Sequence, residues 1–363
     1  MNSQDKLIPE LRTIYEKLGY KKYKMSKFEE YDLYLENKSF LKSENIITFN
    51  DLNGKLLALK PDVTLSIVKN SGDYPQKLYY TENVYRVKSG QYKEIMQVGL
   101  EYLGNVDLYT VCEVLSLASK SLELISKDYI LDISHMGFLS GLLEEFNFSQ
   151  SAYEKALTLI SQKDAHELKE LCEKSDADEA LTEKLVKLSS LYGSLGEMLS
   201  ELSELNINEK TDIAFKELSD IYNTLKAVGC DNNINLDFSI INDMSYYNGV
   251  IFQGFIKGIA DNVLSGGRYD NLLSKFGKKA EAIGFALYFD MLEYFMETEA
   301  EYDVDVMLTY GENAETTSLT KAVNMLISTG QTVLAATEIP KNLRYKQLLA
   351  FNERGLEILE GND

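Results

Sequence analysis

The apolar positions of this 363-residue chain change their period repeatedly, and each change marks an element. Leu7, Leu11, Ile14, Tyr15 and Leu18 fall on one helical face, with Gly19 as a natural stop. Tyr20 to Tyr34 mixes aromatic and charged residues and starts with a strand. Asn45 to Leu59 reads as a hairpin turning at Asn53-Gly54, a pair suited to positive φ. Leu78 to Gly104 predicts two strands around a polar loop at Ser89-Gly90. The first ends at Tyr85-Arg86 and the second runs from about Glu94 to Tyr102. Strand side chains alternate, so Gln97, Gly99 and Glu101 share one face.

Asp107 to Lys127 reads as a helix with Val111, Val114, Leu115 and Ala118 inward. Tyr129 to Ser134 reads as a strand, with a short helix after His135-Met136-Gly137-Phe138. From about 148 to 230 glycine becomes scarce, and Leu185, Leu188, Leu191, Leu195 and Leu199 recur at helical spacing, which predicts a packed helical insertion. Leu236 to Asn242 and Tyr247 to Phe255 read as a hairpin around Asp243-Met244-Ser245. Ser265-Gly266-Gly267-Arg268 reads as a glycine-rich turn before a helix. The tail, 299–363, alternates as β, α, β: a strand at Val304 to Leu308, a helix at Thr316 to Ser328 and a strand at Thr332 to Ala336.

Charge narrows the functional classes. With 57 acidic against 37 basic residues the formal charge is −20, a field that repels nucleic-acid backbones. Cys112, Cys172 and Cys230 are far apart and show no metal-ligand spacing, as expected of reduced thiols. The amphipathic, charged N-terminus is unlike a signal peptide, and no stretch approaches the roughly 20 apolar residues of a membrane span. The expectation is a soluble cytoplasmic protein without nucleic-acid or membrane partners.

The candidate chemistry is sparse. Asp62 and Thr64, following Lys60-Pro61, suit either a helix cap or a carboxylate and hydroxyl at a pocket mouth. Gln97 and Glu101 flanking Gly99 leave a small polar recess, because glycine in a strand often marks close approach of a ligand or another backbone. His135 and His166 are too few for a histidine-based triad or metal cluster, and a lone histidine at 135 is more often structural. Gly266-Gly267 before a helix is a weak anion-cradle signal, and no P-loop or dinucleotide fingerprint is present.

Five segments in order together resemble the histidyl branch of the class II aminoacyl-tRNA synthetases: LALKPDVT (57–64), VYRVKSGQYKEIMQVGLEYLG (84–104), MSYYNGVIF (244–252), SGGRYDNLL (265–273) and AIGFALYFDML (282–292). The resemblance implies an α+β fold: an antiparallel sheet flanked by helices over residues 1–298, a helical insertion at about 148–230, a short α/β segment at 299–363, and a dimer paired through the motif 1 region. It also implies a histidine site in which Asp62, Thr64 and Gln97 hold the α-ammonium while Glu101, Tyr246 and Tyr269 meet the imidazole.

The catalytic pattern is broken. The family's adenylation arginine aligns with Asn242, and its motif 3 phosphate-binding arginine with Met291. Lys88 replaces a glutamate in a shortened motif 2 loop, which leaves Arg86 as the remnant of the nucleotide site. The motif 1 proline is missing near Lys24 to Ser26. Losing one positioned donor where charge develops typically costs about 10²–10³ in rate, and two are gone. A kept amino-acid side with a lost ATP side resembles the regulatory subunits of ATP phosphoribosyltransferase, as does ILDISHMGF (130–138). That resemblance implies histidine as ligand and a short-form catalytic subunit as partner. It also implies a homodimer within the hetero-oligomer, with no cofactor and no metal. A divergent histidine-activating enzyme and a paralogue that binds nothing stay open as alternatives.

Overall fold

The computed structural model describes residues 3–37, 41, 46–72, 75–88, 90–241, 246–296 and 302–361, which divide into two compact units, 1–296 and 297–363.

The larger unit is built on a nine-stranded sheet. Its spatial order is Lys21–Lys22, Gln76–Lys88, Gln91–Gly104, Glu281–Tyr288, Leu264–Arg268, Val250–Ile256, Tyr129–His135, Ile234–Asp237 and Tyr192–Ser194. Pairing is antiparallel through the six strands from Gln76–Lys88 to Tyr129–His135, and parallel where Lys21–Lys22 and Ile234–Asp237 join. The long hairpin is more extensive than expected: its strands run to Lys88 and start at Gln91 around Gly90, whose φ is 75°.

One face of this sheet packs on the helices Ser3–Lys17 and Leu108–Ile125. Tyr15 and Ser121, both buried, share a hydrogen bond of 2.9 Å between those helices. The second begins at an Asp107 cap that accepts from Thr110 N. On the opposite face Tyr80, Val84, Ile95 and Leu103 pack against Leu33, Val63, Leu65, Ile67, Tyr269 and Leu272, which come from short helices and turns. That face carries the candidate site.

Between 150 and 227 lie the helices Gln150–Ser161, Ala165–Lys174, Glu179–Ser190, Leu195–Ser203 and Glu209–Ala227. The strand Tyr192–Ser194 sits among them and hydrogen-bonds to the sheet's edge, which helical periodicity did not anticipate. His135 joins the last helix to the sheet: its Nδ1 accepts from Gly137 N, and its Nε2 lies 3.1 Å from Glu217 Oε2. The ring is 4% exposed and its role is structural.

Two expectations are corrected. Ile234–Asp237 and Val250–Ile256 do not form a hairpin, because Tyr129–His135 lies between them and pairs with both. Gly266 and Gly267 are not a turn but lie within the strand Leu264–Arg268. A Cβ on Gly266 would meet Gly284 O at 2.4 Å, so close packing between strands is what requires glycine there.

The smaller unit is a four-stranded sheet ordered Val333–Ala336, Val304–Tyr310, Tyr345–Asn352 and Gly355–Gly361. The helix Thr316–Ser328 packs on Val306, Leu308 and Leu349. The last two strands were not read from the sequence.

Candidate functional site

Register across the sheet assembles the site. Glu101 pairs with Gly284, Gly99 with both Ala286 and Tyr80, and Gln97 with Tyr288, so these side chains stand on one face of three adjacent strands. In the middle of that face glycine lets the Tyr80 and Glu101 side chains lie directly against the backbone. A Cβ on Gly284 would lie 1.8 Å from Glu101 Oε2, and one on Gly99 would lie 2.3 Å from Phe285 O. The result is a recess of ≈ 70 Å³ dug into the sheet, with Thr64, Tyr247 and Tyr269 among its walls and Pro61, Asp62 and Arg86 at one side. It has room for several water-sized groups. That is the scale of an amino acid rather than a nucleotide.

Glu101 is buried, 2% exposed. Thr64 Oγ1 donates to its Oε1 at 2.8 Å, and Tyr269 OH donates to its Oε2 at 2.6 Å. Burial raises its pKa to about 8 against the opposing pull of the two hydroxyls, and the nearby Asp62 adds to the rise. A carboxyl raised this far favours its neutral form at neutral pH. Burial also keeps Tyr80, Tyr247 and Tyr269 protonated far above their ordinary range.

Asp62 stands where the helix begins and at the side of the recess. Its Oδ1 accepts from Leu65 N at 2.9 Å and tethers the start of the helix Thr64–Asn70, while the residue also lines the recess. Thr64 does not cap; its hydroxyl goes to Glu101. Arg86 Nε donates to Pro61 O at 2.8 Å, and its Nη2 lies 4.0 Å from Asp62 Oδ2. Beneath them Lys60, whose side chain is fully buried, pairs with Glu82 at 2.9 Å.

A second cavity of ≈ 310 Å³ shares Arg86 and Tyr288 with the first and is otherwise lined by Ile95, Asp261, Asn262, Asp290 and Met291. Met291, where the resemblance would place a phosphate-binding arginine, is thus a cavity wall with no charge. Asn242, the other substituted position, lies outside the described residues.

Of the residues expected at a histidine site, Asp62, Thr64, Gln97, Glu101 and Tyr269 line the recess together with Arg86. Tyr246 does not line it. Its ring is 1% exposed with Lys275 Nζ 3.7 Å from the ring centroid, and the adjacent Tyr247 faces the recess instead. Tyr80, Ser265 and Tyr288 also line the recess and were not anticipated. Each is set by cross-strand register, which periodicity along a single strand does not reveal. Among the described residues no group of histidine, cysteine, aspartate and glutamate side chains could hold a metal ion, and no helix is long and apolar enough to cross a membrane.

Comparisons with known proteins agree with this fold. A family model described as histidyl-tRNA synthetase matches residues 1–292. The ATP phosphoribosyltransferase regulatory subunit of Clostridium kluyveri is 31% identical over 318 residues, covering 83% of this chain and 81% of that protein. Among solved structures, an ATP phosphoribosyltransferase regulatory subunit/histidyl-tRNA synthetase from Bacillus halodurans superposes with a TM-score of 0.80 at 24% identity, covering 96% of this chain and 93% of the other. An ATP phosphoribosyl transferase (HisG:HisZ) complex from Thermotoga maritima contains a chain with a TM-score of 0.63 at 19% identity, covering 78% of this chain and 96% of that one. These two structural likenesses establish the fold, that of a class II aminoacyl-tRNA synthetase.

Proposed function

The chain belongs to the histidyl-tRNA synthetase family and within it to the ATP phosphoribosyltransferase regulatory subunits, and from that premise we propose that it is a non-catalytic cytoplasmic subunit that binds free histidine in the sheet recess. It would confer activity and feedback sensitivity on a short catalytic subunit at the first step of histidine biosynthesis. The observation that carries this reading is the division of charge. The amino-acid end keeps Glu101 fixed by Thr64 and Tyr269, with Asp62 placed for an α-ammonium. Among the described residues the adjoining cavity is lined by one cation, Arg86, against Asp261 and Asp290, a poor setting for a triphosphate. Two measurements test it. Calorimetry should show histidine binding that is lost in Glu101→Ala, and ATP–pyrophosphate exchange with histidine should not exceed that variant's background. Exchange above it would favour the histidine-activating enzyme instead. A catalytic subunit that is fully active and feedback-inhibited without this chain would end the regulatory reading.

The same reading includes a homodimer. Near the motif 1 segment, Phe28 and Phe49 stack edge to face at 5.6 Å on a small three-stranded sheet, yet remain 47% and 38% exposed. Exposed aromatic pairs of this kind favour burial against a second surface. Light scattering at micromolar concentration should give twice the chain mass, and a stable monomer would refute the dimer.

A further inference from the structure

We propose that Tyr288 is a specificity-determining residue of the recess: its ring is the partition that closes the recess off from the adjoining ≈ 310 Å³ cavity, so that the site takes a free amino acid and turns away one lengthened beyond its carboxyl group. The inference rests on the histidine-pocket reading and adds to it a limit on ligand length that is set by shape rather than by charge.

Three observations carry it. First, Tyr288 is the one bulky side chain that its strand turns toward the recess. Alternation along Glu281–Tyr288 puts Ala282, Gly284, Ala286 and Tyr288 on the recess face, while Ile283, Phe285 and Leu287 enter the core on the other side. The strand lies low beneath the site and rises abruptly at its last residue. Second, the residue is held at both ends. Tyr288 N donates to Val263 O at 2.8 Å, which fixes the root of the side chain, and the hydroxyl shares a hydrogen bond with Ser265 Oγ on the neighbouring strand. Ser265 pairs with Ala286, so the ring leans diagonally over Ala286 toward that strand. Third, the two cavities meet at this ring. Among the described residues their linings have only Arg86 and Tyr288 in common, and beyond that boundary the space opens from ≈ 70 Å³ to ≈ 310 Å³. Asp62, placed for the α-ammonium, stands on the Arg86 side, whereas the imidazole end lies at Glu101. The carboxyl end of the ligand therefore faces the boundary, and any group attached to it would have to pass where the Tyr288 ring lies.

The test is calorimetry on the full chain with L-histidine, L-histidine amide and L-histidine β-naphthylamide, whose uncharged aromatic extension separates size from charge. The wild type should bind the naphthylamide at least about tenfold more weakly than the amide, because the ring leaves the extension no place. Tyr288→Ala should join the two cavities and tighten the naphthylamide by about tenfold or more, as its naphthyl group settles against Ile95 and Met291. Histidine should stay within about threefold in the same chain, since it ends short of the boundary. Tyr288→Phe should keep the exclusion, because the ring and not the hydroxyl stands in the way. A wild type that binds amide and naphthylamide alike overturns the proposal. So does a Tyr288→Ala chain without gain for the naphthylamide, or a Tyr288→Phe chain that admits it as readily as Tyr288→Ala. If Tyr288→Ala fails to fold by circular dichroism, Tyr288→Leu, which removes the far end of the ring and keeps apolar bulk near the strand, is judged by the same gain. A wild type that gives no heat with histidine itself refutes the pocket reading, a result distinct from these.

Discussion

Replacing Glu101 by glutamine isolates the consequence of burying a carboxyl under this sheet. In the unfolded chain the group titrates near 4.5, and in the folded recess it is raised to about 8, because burial penalises its charged form. A group whose folded pKa is raised contributes its full stability below the unfolded value and loses that contribution as pH rises through the folded one. Wild type should therefore weaken relative to Glu101→Gln between pH 4.5 and 8. At 1.36 kcal/mol per pH unit, the relative loss from pH 4.5 to pH 7 is about 3 kcal/mol, and it approaches about 5 kcal/mol above pH 8. Glutamine keeps the shape, and the Thr64 and Tyr269 hydroxyls rotate to meet its amide, so any fixed difference between the chains is independent of pH. Denaturant titrations followed by tyrosine fluorescence at several pH values from 4 to 9 would read the slope, since the chain has 24 tyrosines and no tryptophan. The expected result is a difference that grows through that window and levels off beyond pH 8. A difference constant from pH 4 to 9 would show that Glu101 is solvated and ionised in the folded chain, and the account of the recess would fail with it.

Histidine binding should have a bell-shaped pH profile. Between the ordinary imidazole value of about 6.5 and the Glu101 value of about 8, ligand and carboxyl bring one proton between them; on either side affinity should fall by about tenfold per pH unit, and Glu101→Gln should lose its part of the alkaline limb in calorimetry. Gly284→Ala places a Cβ 1.8 Å from Glu101 Oε2 and 2.4 Å from Leu100 O, so it should abolish binding and destabilise the larger unit by about 1–3 kcal/mol in thermal melts. Glu82→Ala strands the buried Lys60 cation and should cost about 3–5 kcal/mol, whereas Lys60→Met/Glu82→Leu together should fall close to wild type in denaturant titrations.

What the sequence disclosed depended on how local its cause was. The helix Thr316–Ser328 and the shared face of Gln97, Gly99 and Glu101 follow from periodicity within one segment, and both were legible. Pairing between distant segments was not. Ile234–Asp237 and Val250–Ile256 are neighbours in the chain, but Tyr129–His135 separates them in the sheet, and no alternation within either strand records that. Tyr192–Ser194 spans three residues, too few to show a period. Gly266 and Gly267 carry a turn composition for a steric reason, since a neighbouring strand leaves no room for a Cβ. The exchange of Tyr246 for Tyr247 has another origin: the segment has no strand alternation to say which ring turns inward.

The recess depends on missing side chains at Gly99 and Gly284, which let Tyr80 and Glu101 lie flat on the sheet, and this bears on how it could be lost by descent. Every glycine codon lies one nucleotide change from an alanine codon, so each position is a single mutation from being filled. Filling either one drives a Cβ into a carbonyl oxygen of the adjoining strand, Phe285 O or Leu100 O, which the sheet's pairing holds in place. The mutation that closes the site therefore also strains the fold. A lineage that ceased to need the ligand would still be selected, for stability alone, to inherit the hole.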